Sequence, residues 1–279
     1  MISTPAFKLT NGEGVDFLKT ISKKSVNLVL TDPPYIISQK SGMQTFFEKV
    51  KADEKDAKTD GDWKEFKKKN KLKDDSKKKE FLKYGTIYGK KYAVRTDYGS
   101  WDKDFDLEQL NYFVKEYFRV LKDGGTCIIF FDLWKISLLH DMMKDAGFKQ
   151  LRMIEWIKTN PQPRNSKVNY LTNCREIAVL GIKKSKPTFN SKYDNGIYHY
   201  PLQGGKMRIH PTQKSLALFE ELIRKHSNEN DVVLDTFLGA GTTAIACKNT
   251  NRICMGCERQ SEYFETYYAS LGVDSELTE

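Results

Sequence analysis

Val26-Asn27-Leu28-Val29-Leu30-Thr31-Asp32-Pro33-Pro34-Tyr35 is an apolar run that ends in an acid, two prolines and an aromatic. Val26, Leu28, Val29 and Leu30 are the composition of a buried strand. Asp32 precedes a proline and is biased out of the helical region. Pro33 and Pro34 fix two successive φ angles and carry no N–H. The run therefore predicts a core strand stopped by a stiff corner, with a carboxylate and a flat ring at its end. Backbone carbonyls at such a corner have no ladder to join and can accept from a ligand. Taken alone, the four residues also fit a rigid turn without chemistry.

A second stretch, Val232-Val233-Leu234-Asp235-Thr236-Phe237-Leu238-Gly239-Ala240-Gly241-Thr242-Thr243, is a strand running into a Gly-rich turn and then a helix. Its glycines let backbone approach a ligand closely, and the helix start favours negative charge. Upstream of it stands His210-Pro211-Thr212-Gln213-Lys214.

These three stretches together resemble the β group of the amino-methylating DNA methyltransferases that use S-adenosylmethionine. Asp32 to Tyr35 matches that family's catalytic tetrapeptide, Asp235 to Thr242 its cofactor loop, and His210 to Lys214 its third signature. The catalytic motif comes first and the cofactor motif last, which is the circularly permuted order of that group. The resemblance spans most of the chain outside residues 39–97. It implies an α/β, Rossmann-like fold with a mostly parallel, doubly wound sheet, in which the two motif strands are neighbours.

The resemblance also implies roles. Asp32 and the Pro33 carbonyl accept from the target amine, Pro34 stiffens the corner, and Tyr35 stacks on the flipped base. Asp235 meets the ammonium group of the cofactor, and Phe237, Gly239, Gly241 and Thr242 line its pocket. Thr212 and Lys214 approach the cofactor carboxylate, with His210 beside them or merely capping the turn. Glu258, at the end of the next strand, stands where an acid grips ribose hydroxyls. Family members usually show Asn-Gly-Asp near the first turn. Here it is Asn11-Gly12-Glu13, so Glu13 is a cofactor contact or a solvated turn acid.

Composition bounds the rest. At 279 residues with 39% hydrophobic content, the chain is long enough to bury a core. A net charge of +9 suits a polyanionic partner. Five cysteines do not read as a disulfide framework. Cys254-x-x-Cys257 lacks a second ligand pair, and the four histidines form no ligand pattern, so no metal is expected. Residues 1–5 do not look like a signal peptide, and no apolar run is of bilayer length. The reading is a cytoplasmic, prokaryotic, nucleoid-associated protein, monomer or homodimer, acting on double-stranded DNA, with a cognate restriction endonuclease as a possible partner.

Strands are expected at 7–10, 126–131, 153–158, 176–182 and 252–258. Helices are expected at 15–21, 107–121 (stopped by Gly124-Gly125), 136–146, 215–226 and from 262 onward. Strands alternating with helices argue for a sheet covered on both faces. Residues 1–279 read as one catalytic domain. Within it, 39–97 is a lysine-rich, partly helical insert. Its run Lys64 to Lys79 holds nine lysines against three acids, a net of +6, and Lys67, Lys68 and Lys69 are candidate phosphate contacts. The segments within 159–208 are the expected target-recognition segments, and Lys183 to Arg208 reads as irregular. There Arg164, Asn165, Lys167 and Arg208 are candidate DNA contacts, since forked and amide side chains can pair with base edges.

The activity implied is methyl transfer to the N6 amine of adenine, within a restriction–modification system. Cytosine-N4 methylation uses the same chemistry, but family cytosine enzymes more often carry serine where Asp32 stands. Protein-glutamine methylation fits less well, because its relatives generally have Asn before Pro-Pro-Tyr. A catalytically idle nucleic-acid-binding protein on the same fold is the reading from another class.

Overall fold

The apolar run that ends at Asp32 is a strand inside a nine-stranded sheet in the computed structural model, which describes residues 2–36, 50–52, 58–87, 105–161, 173–204 and 213–271. The strands are β1 (Ile2–Thr4), β2 (Phe7–Asn11), β3 (Val26–Thr31), β4 (Leu121–Phe131), β5 (Lys149–Lys158), β6 (Arg175–Ile182), β7 (Ile197–Tyr200), β8 (Val232–Asp235) and β9 (Ile253–Glu258). Their order is β1-β2-β9-β8-β3-β4-β6-β5-β7. Five of the eight neighbouring pairs are parallel: β2–β9, β9–β8, β8–β3, β3–β4 and β5–β7. The mostly parallel sheet read from the sequence is the one observed.

The helices are α1 (Gly14–Lys19), α2 (Asp60–Lys69), α3 (Lys78–Tyr84), α4 (Leu107–Val120), α5 (Ile136–Asp145), α6 (Leu216–His226), α7 (Thr242–Asn249) and α8 (Ser261–Leu271). One apolar cluster joins Leu28, Leu30, Ile128 and Phe130 of the sheet to Leu218, Phe219 and Leu222 of α6, Ala244 and Cys247 of α7, and Phe264 of α8. Strand residues alternate between faces, so Val29 and Thr31 point the other way. That second face is covered by α1, α4 and α5, whose buried Phe17, Leu110, Val114, Tyr117, Leu139 and Met143 lie outside the first cluster. Burying each such Leu, Val or Phe is worth about 1.5–3 kcal/mol. The winding reverses between β8 and β3, because β3 continues to β4 on one side and β8 to β9 on the other. A crevice opens at the carboxyl ends of strands at such a point.

Two expectations are corrected. Gly124-Gly125 does not stop α4. Leu121 turns extended at the helix end and pairs at once with Val26, while the next register pair is Leu28 with Thr126. The glycines sit in the bulge that absorbs the difference. Gly124 has φ +87°, and a Cβ there would lie 2.6 Å from the Lys186 carbonyl oxygen. Lys183 to Arg208 is not irregular throughout, because Ile197–Tyr200 forms edge strand β7. Its burial alternates, with Tyr198 inward and Ile197 and His199 outward.

The chain divides into two units, Met1–Tyr35 with Asp106–Glu279, and Ile36–Phe105. In the second, Thr59 and Asp62 form a reciprocal capping box that starts α2, and left-handed Gly85 ends α3. Trp63, Phe66 and Phe81 pack together, with Phe66 and Phe81 centroids 4.4 Å apart. The Trp63 indole donates to Asp75 at 2.9 Å.

His226 closes α6 with its ring buried and its Nδ1 without a partner among the described residues. Burial pushes its pKa down to about 4, against the opposing pull of Asp194. Between pH 6.5 and 4 the unfolded chain binds more protons at this site than the native one. Stability present above pH 6.5 is therefore lost as pH falls through that window, by about 3 kcal/mol. Denaturant titrations should show His226→Gln losing less stability than the parent between pH 7 and pH 4. Identical slopes would contradict this role of the buried imidazole.

Candidate active site

The corner at the end of β3 is held by a row of alternating charges. Asp32 Oδ2 lies 2.6 Å from Lys214 Nζ. The same ammonium lies 2.7 Å from Glu176 Oε2, and Glu176 Oε1 lies 2.6 Å from Lys158 Nζ. Each residue comes from a different element. Asp32 follows β3, Lys158 ends β5, Glu176 opens β6, and Lys214 precedes α6. Strand β6 runs antiparallel to β4 and β5. That direction brings its first residues to the sheet end where β3 and β4 finish. Lys214 is only 6% exposed. Burial works against its charge, but Asp32 and Glu176 outweigh burial and hold the ammonium above its ordinary range. Burial likewise works to raise Glu176, and Lys214 with Lys158 overcomes it, keeping that carboxyl below its usual value.

Asp32 is balanced differently. Burial raises its pKa, Lys214 opposes, and Glu176 adds to the rise. Its Oδ1 is buried and has no hydrogen-bond partner among the described residues. A buried carboxylate oxygen without a donor costs free energy, about 1–3 kcal/mol or more for a charged group. An arriving N–H donor would recover that cost. Tyr35 packs edge-on against Phe131 with centroids 6.0 Å apart. Its hydroxyl lies 3.5 Å from both Glu176 Oε2 and Lys214 Nζ, and burial pushes its pKa well above the usual phenol range. It is a neutral ring at this corner.

The Gly-rich turn starts one strand away. The Thr31 hydroxyl donates to Asp235 Oδ1 at 2.7 Å, the Phe237 N–H donates to the same oxygen at 3.0 Å, and the Thr243 hydroxyl donates to Oδ2 at 2.5 Å. Burial raises Asp235 to about 6, and these three donors oppose it. The structure thus gives Asp235 protein partners where an ammonium group was expected: its carboxylate braces the turn. Gly239 (φ +50°) and Gly241 (φ +75°) are left-handed, and Gly241 precedes α7, whose first residue Thr242 is buried. A Cβ at Gly239 would meet nothing closer than the Phe237 carbonyl oxygen at 4.0 Å, so the space over that backbone is open. Glu258 Oε2 accepts from the Gly239 N–H at 2.7 Å, and Oε1 from the Gln260 N–H at 2.8 Å. The Arg259 N–H also acts on this carboxylate, which still has acceptor capacity for a hydroxyl. Phe237 leans on Phe113 with centroids 4.9 Å apart. An open face over glycine backbone, an aromatic wall and an acid with free lone pairs fit the nucleoside part of S-adenosylmethionine.

Other expected residues fall elsewhere. Lys214 was expected at the cofactor carboxylate; its contacts are instead two carboxylates of the protein, Asp32 and Glu176. Glu13 pairs with Arg259 at 2.7 Å and is half exposed. His210, Thr212, Arg164, Asn165, Lys167 and Arg208 lie outside the described residues. Lys68 and Lys69 are exposed, whereas Lys67 is committed to Asp75 at 2.7 Å. Cys254 and Cys257 are buried on opposite faces of β9. Cys254 belongs to the apolar cluster, and the Cys257 thiol donates to the Thr236 carbonyl at 3.3 Å. Sequence reading missed Glu176, Lys158, Thr31 and Thr243. The usable signal was a glutamate inside an otherwise apolar strand. A separate cleft of about 390 Å³, lined by Asp194, Tyr198, Tyr200, Glu221 and Lys225 among others, has its charges paired internally.

Comparison with known proteins gives the family of the chain. Residues 26–269 match the family model described as "DNA methylase", covering N6 and N4 methyltransferases. The type II methyltransferase M2.DpnII of Streptococcus pneumoniae is 31% identical over 209 residues, covering 66% of this chain and 75% of that protein. The type II methyltransferase M2.MboI of Moraxella bovis is 27% identical over 277 residues, 93% of this chain and 85% of that one. The crystal structure of the M1.HpyAVI–SAM complex superimposes with a TM-score of 0.60 at 25% identity, covering 95% of this chain and 99% of that one.

Gly256 of β9 tests how tightly the turn is held. A Cβ there would lie 2.5 Å from the Asp235 carbonyl oxygen and 2.8 Å from Leu238 Cδ1. Gly256→Ala should therefore displace the loop, costing about 1–3 kcal/mol of stability and weakening S-adenosylmethionine binding in calorimetry. Parental affinity in the folded variant would show that the loop does not hold the cofactor.

Proposed function

The chain belongs to the DNA methylase family of N6 and N4 methyltransferases, and we propose that it methylates the N6 amine of a flipped adenine in double-stranded DNA. S-adenosylmethionine is the methyl donor, and when bound it supplies a methyl group on a positively charged sulfur. The observation that carries the adenine reading is Asp32: a carboxylate, not a serine, with Oδ1 buried and unpartnered among the described residues.

An adenine amine is a poor nucleophile because its lone pair is delocalised into the ring. Asp32 Oδ1 accepts a hydrogen bond from one amine N–H and the Pro33 carbonyl from the other, which favours a nitrogen with its lone pair free. The fixed carboxylate then faces the positive charge that develops on nitrogen, already in place before reaction. Pro33 and Pro34 fix two successive φ angles and so stiffen the corner that carries both acceptors. Tyr35 gives the base an aromatic face, worth about 1–3 kcal/mol, comparable to the few kcal/mol of flipping. Gly239, Gly241 and Thr242 carry the cofactor backbone contacts, Phe237 its wall, and Glu258 its hydroxyl contact, with Glu13 at the pocket edge.

Exposed Lys68 and Lys69 contact phosphates and position the duplex, while residues in 159–208 read bases. The chain is the modification half of a restriction–modification pair, a role supported by the type II methyltransferases it resembles. Its location is the prokaryotic cytoplasm, on DNA.

Two outcomes are expected. Asp32→Ala should abolish transfer of labelled methyl to unmethylated DNA while S-adenosylmethionine still binds. Digestion of DNA methylated by the parent should yield N6-methyl-2′-deoxyadenosine. Near-parental turnover in the variant would remove Asp32 from the chemistry, and N4-methyl-2′-deoxycytidine would reverse the choice of base. Separately, Lys68→Gln with Lys69→Gln should weaken binding to all DNA sequences alike. It should also flatten the salt dependence by about 0.9 for each phosphate no longer neutralised. Weaker sequence discrimination with the salt slope unmoved would assign these lysines to base reading instead.

A further inference from the structure

Lys214 has the least obvious function in the site. A buried ammonium shared by two carboxylates is an expensive way to staple a fold, since desolvation offsets most of the attraction. Its position is more informative than its contribution to stability. It occupies Oδ2 of Asp32 at 2.6 Å and leaves Oδ1 without a partner among the described residues. With Lys214 on Oδ2 and the Tyr35 hydroxyl also acting on the carboxylate, Oδ1 is the oxygen left without a partner among the described residues. Glu176 takes the second side of the ammonium at 2.7 Å and is itself anchored by Lys158 at 2.6 Å. The Lys214 ammonium also lies over the faces of Tyr35 and Phe130, at 5.4 and 5.6 Å from their centroids. Its charge is therefore held between the two carboxylates and the two rings.

We propose that Lys214 is a positioning residue for methyl transfer: anchored by Glu176, it holds Asp32 as a carboxylate and orients Oδ1 toward the target amine. This rests on the reading of Asp32 as the acceptor for that amine. Lys214 touches neither base nor methyl group, and as an ammonium it has no lone pair with which to take a proton from the product. Its effect is carried entirely by the charge and aim of Asp32.

The electrostatic surroundings make the proposal testable by direction. The groups acting on Asp32 are Lys214, Glu176 and the neutral Tyr35. Lys158 acts through Glu176, and Asp235 faces Asp32 from β8. Lys214 favours the charged form of Asp32, and Glu176 disfavours it. Removing the two should therefore move Asp32 in opposite directions, although both changes break the same ion-pair row. A purely structural row predicts parallel losses.

The experiment is the pH dependence of kcat for labelled methyl transfer at saturating DNA and S-adenosylmethionine. It is run on the parent, Lys214→Met, Lys214→Arg, Glu176→Gln and Asp32→Asn, each checked by thermal melting and cofactor calorimetry. Lys214→Met should move the acid limb to higher pH by about 1–3 pH units, the scale set by an opposite charge at this range. Lys214→Arg should return it toward the parental position, and Glu176→Gln should move it to lower pH. If Lys214→Met does not fold, Lys214→Gln supplies the uncharged arm in its place. Unmoved limbs in the folded variants that remove the Lys214 or the Glu176 charge, or limbs that move the same way in those two, overturn the proposal. Substantial turnover by Asp32→Asn would instead overturn the reading of Asp32 on which it rests. An inactive Asp32→Asn with unmoved limbs in the others removes Lys214 alone.

Discussion

The hydrogen bond from the Thr31 hydroxyl to the Asp235 carboxylate, 2.7 Å long, joins two stretches 204 residues apart. It is possible only because β3 and β8 are neighbours and parallel, with Leu28 beside Val233 and Val29 beside Leu234. Parallel pairing puts the carboxyl ends of both strands on one side of the sheet. The Pro-Pro corner and the Gly-rich turn then face one crevice without either needing a long loop. Thr31 is the last residue of β3 and Asp235 the last of β8, so the bond closes the sheet at the point where the winding reverses. Thr243 and the Phe237 N–H complete the shell of Asp235 and fix the start of α7 relative to the strand. The permuted order of motifs along the chain leaves this local geometry intact.

Much of this was legible from local chemistry. Prolines and glycines punctuate backbone by steric necessity, so the strand at 26–31, its stop, the turn at 236–241 and the helix after it could be read directly. Helix α4 was legible because Leu110, Phe113, Val114 and Tyr117 recur at helical spacing and are all buried. The errors came where a local signal had more than one structural use. Gly124-Gly125 is a helix stop in one context and a bulge in another. Only the pairing of Leu121 with Val26 distinguishes them, and that partner is far away along the chain. The edge strand at 197–200 carried an alternating pattern only four residues long, within a stretch crowded with turn residues.

The site itself divided along similar lines. Residues whose role follows from backbone shape, such as Gly239 and Gly241, were readable as types. Residues whose role depends on which way a side chain points were not. Asp235 and Lys214 stand in matching motifs, yet Asp235 braces its own turn and Lys214 turns to Asp32 and Glu176. Glu176 stood in an expected strand that was given no role at the site. Its partners Lys158 and Lys214 are brought to it by the antiparallel run of β6 between β4 and β5, which no spacing in the chain encodes. The insert shows the same limit. Its lysine count was plain, but Lys67 is taken by Asp75, whereas Lys68 and Lys69 remain exposed.

The proposed chemistry turns on Asp32 Oδ1 as the acceptor for the amine that is methylated. It is tested most directly by a crystal structure of the protein with duplex DNA containing its target site and S-adenosylhomocysteine in the cofactor pocket. The adenine N6 amine is then expected within hydrogen-bond distance of Asp32 Oδ1, about 2.7–3.2 Å, with Lys214 still on Oδ2 and the base against Tyr35. An extruded base whose amine bonds elsewhere, with Oδ1 left unbonded or turned onto Lys214, would contradict that role.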